Sequence, residues 1–389
     1  MQGGVGDYTR EIGLALHDLG CEVHVLAPTQ AGPVPDLTVH PIAERWDWRC
    51  WGTLLDLVRQ HQPDVVHVQY QAAAYAMHPA INCWPWRLRR MGAGRPRSVV
   101  TFHDLKVPYL FPKAGPVRRG VVNELARRSD AAITTNREDM EKLGQVLAEP
   151  PALIPIGSNI APEPPTSFDR DAVRSRWGAG PDDLLLCFFG FINDRKGVDT
   201  LLHALHSVIS DPPTAGNVSL LFVGGRTGAS DPTNVAYLAQ IDALIAELGL
   251  EDRIHWTGYI PPEEVTASFM GADLCVLPYR DGASFLHGTF HAALVHGMPI
   301  LTTQPRVHLP ELIHGQNVFL VTPDDASALA GAIGQLGVDH QLREKIGAGA
   351  KVLAEIFRWD KIAADTLELY RAIGCLLYTS DAADDDTIV

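Results

Sequence analysis

An α/β protein built from two parallel sheets is the fold class this sequence predicts, and three observations carry it. Short β-branched and aliphatic runs alternate with segments of helical period through both halves of the chain, as parallel strands joined by crossover helices require. Prolines cluster near the middle, at Pro150, Pro151, Pro155, Pro162, Pro164 and Pro165, where extended backbone suits a boundary crossed by few contacts. At 389 residues the chain is long enough for two cores of ordinary size.

In the first half, Tyr8, Ile12, Ala15, Leu16 and Leu19 recur on one helix face, Gly20 ends the helix, and residues 23–26 form the next strand. Strands follow over 65–68, 99–102, 131–134 and 152–154. Gly3, Gly4 and Gly6 read as a loop before the first helix, able to let backbone approach a ligand closely. A buried strand should lead into that loop, and Met1 and Gln2 leave no room for it, so the first strand is expected upstream of this chain. The expected divisions are a first domain over 1–157, a linker over 158–181, a second domain over 182–358, a closing helix over 359–374 and a non-native tail over 375–389. The tail has no helical period and ends in an acidic run.

The second sheet opens at Leu184, and its most informative stretch runs from Cys187 to Leu202. An apolar run ends at Gly190, a short loop delivers Arg195 and Lys196, and Val198, Leu201, Leu202, Leu205 and Ile209 then recur at helical spacing. Ligands of open α/β sheets bind beyond the carboxyl ends of the strands, where helix N-termini favour anions, so these cations stand where a diphosphate would bind. The competing reading is a solvated basic turn. Further units are a strand over 220–223, a helix opened by Asp231-Pro232 and closed by Gly249, a strand over 274–277, and helical patterns from Ala326 to Ile373.

Composition excludes several classes. A formal charge of −14 opposes general nucleic-acid binding, which needs a basic face to displace counterions. No apolar run is long enough to span a membrane, and residues 1–20 lack a signal-peptide layout, so a cytoplasmic location is expected. The six scattered cysteines read as small core residues and not as a disulfide or metal framework. Locally, Arg87, Arg89, Arg90, Arg95 and Arg97 crowd beside Trp84 and Trp86, which suits peripheral contact with an anionic membrane face or a phosphorylated acceptor. A solvated helix and loop is the simpler account, since Gly92, Gly94 and Pro96 interrupt the segment.

Taken in order, several segments resemble family 4 glycosyltransferases, retaining enzymes that use nucleotide sugars. In the second half they are the stretch around Lys196, Ile254 to Pro261, Gly271 to Tyr279, Gly297 to Thr303, and Leu309 to Ile313. In the first half they are Gly3 to Gly6, Pro63 to Val68 and Val100 to Asp104, so the resemblance runs from about residue 3 to about residue 373. It implies a GT-B fold of two Rossmann-like domains facing a central cleft, and transfer of a hexose from a nucleoside-diphosphate sugar to a glycan or lipid-linked acceptor, as in polysaccharide biosynthesis. Lys196 matches the family's diphosphate-binding lysine, and His103 matches the histidine near the donor sugar, where it would donate a hydrogen bond. The family's arginine after the strand-end glycine is replaced by Phe191, so Arg195 is expected to supply the second charge.

A further departure concerns two family glutamates, whose places fall on Ser284 and Ala292. Donor contacts are then expected from Gly3, Gly4 and Gly190, from Asp281, Gly282, Ala283 and Ser284, and from Gly288 and Thr289 at a helix start. No cofactor or metal is expected, because Asp104, Asp194 and Asp281 stand apart and His287 with His291 show no third ligand. Two other functions stay open: a non-catalytic nucleotide-sugar-binding protein, and a sugar-nucleotide epimerase of similar fold.

Overall fold

Helix α1 (Gly4–Asp18) buries Tyr8, Ile12, Ala15 and Leu16, the face its period predicts. It starts inside the glycine-rich segment, so Gly4 and Gly6 belong to its first turn and not to a loop before it. Asp7 in that turn complements the positive end of the helix, which lets a glycine-rich sequence begin one. The computed structural model describes residues 4–105, 115–210, 217–226 and 232–374, so Gly3 and the tail over 375–389 lie outside the described residues.

The described chain divides into two units, one running to Gly157 and resuming at Arg358, the other Ser158–Phe357. The first unit continues through β1 (His24–Pro28), β2 (Thr38–Ala43) and α2 (Cys50–His61), with β1 and β2 paired in parallel as a two-stranded sheet. Then come β3 (Val65–Tyr70), α3 (Trp84–Arg89), β4 (Arg97–Phe102), α4 (Gly115–Arg128), β5 (Ala131–Thr134), α5 (Arg137–Gly144) and β6 (Ala152–Leu153). Strands β3 to β6 form a parallel sheet in sequence order. Strand β2, which carries Pro41 and is half-exposed, lacks the apolar run that marks the others.

The second unit contains α6 (Arg170–Arg176), β7 (Leu184–Phe189), α7 (Val198–Ser210), β8 (Val218–Val223), α8 (Pro232–Glu247), β9 (Ile254–Trp256) and α9 (Pro262–Gly271). It continues with β10 (Leu274–Leu277), α10 (Gly288–Val295), β11 (Ile300–Thr303), β12 (Phe319–Val321), α11 (Ala326–Val338) and α12 (His340–Ala354). All six strands are parallel, in the order β12-β11-β10-β7-β8-β9. The winding direction reverses between β7 and β10, whose Cys187 and Cys275 face each other in register as free, fully buried thiols. The stretch 158–181 carries α6 and is anchored to this unit by Arg174, which donates to the carbonyls of Gly180, Asp183 and Gly271 and pairs with Asp273 at 2.8 Å.

Helix α13 (Trp359–Ala372) returns to the first unit and buries Ile362, Ala363, Leu367 and Tyr370 in one cluster with Tyr8, Ile12 and Leu16 of α1. Tyr370 Oη lies 2.6 Å from His67 Nδ1, and the Trp359 indole covers Gly157 so closely that a Cβ there would sit 2.5 Å from the ring.

Candidate functional site

The reversal point in the second sheet gathers most of the sequence-predicted residues of that unit. Strand β7 runs out at Gly190, with φ +113° and no room for a Cβ, which would lie 2.7 Å from Thr289 Cγ2. The chain continues through the exposed Phe191 to a single 3₁₀ turn, Asp194–Lys196, closed by Gly197 in the left-handed region at φ +63°. A Cβ on Gly197 would come 2.1 Å from the Pro278 carbonyl oxygen. The loop after β7 is thus pressed onto the loop after β10, which brings the two strand ends of the reversal point together.

Lys196 is the centre of this contact. Its Nζ donates to Thr289 Oγ1 at 2.9 Å and lies over the Tyr279 ring, 4.7 Å from the centroid. Tyr279 Oη is 2.6 Å from the same Thr289 oxygen. Burial strips water from the ammonium and lowers its pKa from 10.5 to about 8, opposed by the attraction of Asp281. Among the described residues Lys196 forms no ion pair, so a desolvated cation stands without a contacting counter-ion at the start of α10.

The surrounding loop is rigidly held. Arg280 pairs with Asp194 and Asp199 and, at 2.8 Å, with Asp324, while its backbone N–H donates to the Arg195 carbonyl at 2.9 Å. The Arg195 side chain itself is exposed. Asp281 Oδ1 is buried without a hydrogen-bond partner among the described residues and lies 3.7 Å from His287 Nε2, whose ring is tilted against Tyr279 with centroids 4.0 Å apart. Gly282, at φ +81°, packs so tightly that a Cβ would come 2.6 Å from the Gln304 carbonyl oxygen. Ala283 is buried, and Ser284 Oγ accepts from the Leu286 N–H at 3.2 Å. Helix α10 then begins at the exposed Gly288, where a Cβ would meet open space, and the N–H groups of Gly288 and Thr289, in its first turn, have no helical acceptor.

His287 and His291 do not converge. His291 Nε2 is 2.7 Å from the Phe285 carbonyl, its ring packs 4.4 Å from Phe357, and burial lowers its pKa to about 4. Ala292 is likewise buried in the core.

His103 belongs to the first unit. It follows β4, is buried, and its Nε2 lies 3.0 Å from Gln69 Oε1, so this nitrogen carries the proton and Nδ1 the lone pair. The ring stands edge-on to Tyr8 at 4.6 Å, and burial holds its pKa near 4, keeping it neutral. In the basic segment, Trp84 is fully buried and Arg95 is committed to Asp130 by two 2.7 Å bonds, which leaves Trp86 partly exposed under Arg90 at 3.9 Å. Sequence reasoning missed Tyr279 and Arg280. Their signal was position: they follow β10 as the Lys196 loop follows β7.

Residues 2–161 match the family model described as Glycosyltransferase Family 4, and residues 183–339 match that described as Glycosyl transferases group 1. A D-inositol 3-phosphate glycosyltransferase of Xylanimonas cellulosilytica is 26% identical over 318 residues, covering 79% of this chain and 71% of its own length. One from Jonesia denitrificans is 24% identical over 401 residues, covering 95% and 91%. Among solved structures, sucrose-phosphate synthase of Thermosynechococcus elongatus superimposes with a TM-score of 0.71 at 22% identity over 95% of this chain and 94% of its own. HepE of Anabaena, in complex with UDP and glucose, gives 0.70 at 20% identity over 96% and 97%.

Proposed function

This chain belongs to the group 1, family 4 glycosyltransferases and has their GT-B fold, and from that premise we propose that it moves a hexose from a nucleoside-diphosphate sugar to a glycan or lipid-linked acceptor, with retention and without a divalent metal. The observation that carries the donor class is the desolvated Lys196 ammonium, unpaired among the described residues, beside the open start of α10. A diphosphate supplies the counter-charge that the ammonium lacks. Negative charge that develops on the leaving group as the glycosidic bond breaks is met by Lys196 and by the N–H groups of Gly288 and Thr289, fixed in advance and costing no reorganisation. The exposed Arg195 adds a longer-range positive charge. Neutral His103, its Nε2 proton engaged by Gln69, would orient a sugar hydroxyl by accepting at Nδ1, not by donating as the family resemblance implied. The HepE complexes with UDP and with UDP-glucose support a uridine nucleotide as the first donor to try.

The relatives' name points to a phosphorylated polyol, D-inositol 3-phosphate, which belongs in the acceptor panel beside glycans and lipid-linked sugars. Trp86 under Arg90, joined through the Trp51 ring to the exposed Trp48, supports peripheral contact of a cytoplasmic protein with an anionic membrane face. Vesicle co-sedimentation that is equal with neutral and anionic lipid would remove that part of the proposal.

The deciding experiment follows nucleotide sugars with the full chain and the acceptor panel, measuring released nucleoside diphosphate and the anomeric configuration of the product. Glycosylated acceptor with retained configuration is the expected result. Binding without release would make the protein a nucleotide-sugar-binding subunit, and isomerised donor without free nucleotide would make it an epimerase.

A further inference from the structure

Three histidines outside the site just described meet in the first unit. His24 stands on β1, His40 on β2 and His61 at the last position of α2. His40 pairs in register not with His24 but in line with Leu26, two residues on, which puts both histidines on one face of the two-stranded sheet. One ring nitrogen from each of the three lies within 4.8 Å of the others. The ring centroids are 4.2 Å apart for His24 and His61, and 5.2 Å apart for each of the other pairs.

We propose that His24, His40 and His61 form a zinc site that ties β1, β2 and α2 together. Tetrahedral zinc with nitrogen ligands at about 2.0–2.1 Å places those nitrogens about 3.3 Å apart. His24 Nδ1 and His40 Nε2 are already 2.9 Å apart, so closure asks mainly for an inward shift of the third ring. The His61 side chain has what a ligand needs: its Nε2 is buried and has no hydrogen-bond partner among the described residues. Glu22 supplies the outer contact usual for a metal-binding histidine. Its Oε1 lies 3.0 Å from His24 Nε2, which puts the proton on that nitrogen and leaves the Nδ1 lone pair facing His40. The C-terminal end of α2, where His61 sits, carries the partial negative charge that favours a cation.

The sheet explains why such a site is useful. A two-stranded sheet is marginal in water, and β2 is half-exposed and interrupted by Pro41. An ion bound by one residue from each of three elements restrains all of them at once. Three protein ligands leave a fourth position for water, an arrangement shared with catalytic zinc sites, but Glu22, the carboxylate beside these rings, is engaged with His24 Nε2 as its outer contact, so the role assigned is structural.

The test uses the full chain, stripped with chelator and titrated with ZnCl₂ in a non-coordinating buffer. The expected result is uptake of about one equivalent with a rise in melting temperature, and visible d–d bands of tetrahedral geometry when Co²⁺ replaces zinc. His61→Gln and His40→Gln should abolish uptake, and Glu22→Gln, an exposed change that leaves the fold alone, should weaken it roughly 10-fold. His340→Gln, on the exposed start of α12, should bind as the parent does. Absence of uptake at millimolar zinc, or uptake unchanged in both Glu22→Gln and His61→Gln, overturns the proposal. Nucleotide-sugar turnover takes no part in these readouts, so their failure leaves the transferase reading untouched.

Discussion

Replacing Lys196 by methionine separates function from stability in opposite directions. At pH 7 the ammonium is protonated in the folded and the unfolded chain, and the fall of its pKa from 10.5 to about 8 corresponds to a desolvation cost of about 3 kcal/mol in the folded state. Methionine keeps the stem and removes the charge. The hydrogen bond to Thr289 is lost with it, at about 1 kcal/mol, so the variant should gain about 2 kcal/mol. For a unit of this size that is a rise of roughly 4–8 °C in melting temperature, read by scanning calorimetry. Turnover with a cognate donor should fall by about 10²–10³-fold, since the charge on the leaving diphosphate loses its main partner. Unchanged turnover would remove Lys196 from the diphosphate site. A lowered melting temperature would show that the ammonium is stabilised by its surroundings and not held there for a ligand.

The same lysine predicts that nucleoside-diphosphate affinity is flat below pH 8 and falls above it, by up to about tenfold per pH unit, because the bound state needs the proton; calorimetric titrations from pH 7 to 9.5 check this. Gly197→Ala sets a side chain at φ +63° and 2.1 Å from the Pro278 oxygen, so it should cost several kcal/mol in urea unfolding or displace Lys196 and abolish donor binding, and a silent substitution would contradict the close loop contact. Acid should destabilise the fold early: burial holds His67 near pKa 3 and His103 and His291 near 4, so below about pH 6.5 the unfolded chain takes up protons that the folded one refuses. Each of the three then lowers stability by up to about 1.4 kcal/mol per pH unit until its folded value is reached, and urea midpoints that do not fall between pH 6.5 and 5 would refute this. Transferase turnover, measured well below the melting temperature, should persist in excess chelator; loss of activity restored by magnesium would assign part of the charge stabilisation to an ion.

The alternation of apolar runs and helical periods was enough to read the two larger parallel sheets, because buried strands and amphipathic helices must advertise their faces locally, whereas β2, without an apolar run, and its separate two-stranded sheet with β1 went unread. The sequence also placed Lys196, Gly190 and the Gly282–Thr289 segment in strand-end loops, since the residues that end a strand and begin a helix are neighbours in the chain. What it could not supply was adjacency. That β7 and β10 lie side by side, so that Lys196 meets Tyr279 and Thr289 and Arg280 spans three aspartates, follows from a strand order with no trace in local pattern. The return of α13 to cover α1, the commitment of Arg95 to Asp130, and the meeting of His24, His40 and His61 from three separate elements are of the same kind. Secondary structure is written in the spacing of residues along the chain, whereas a binding site is made by which elements the burial of apolar faces brings together, and only the folded chain decides that.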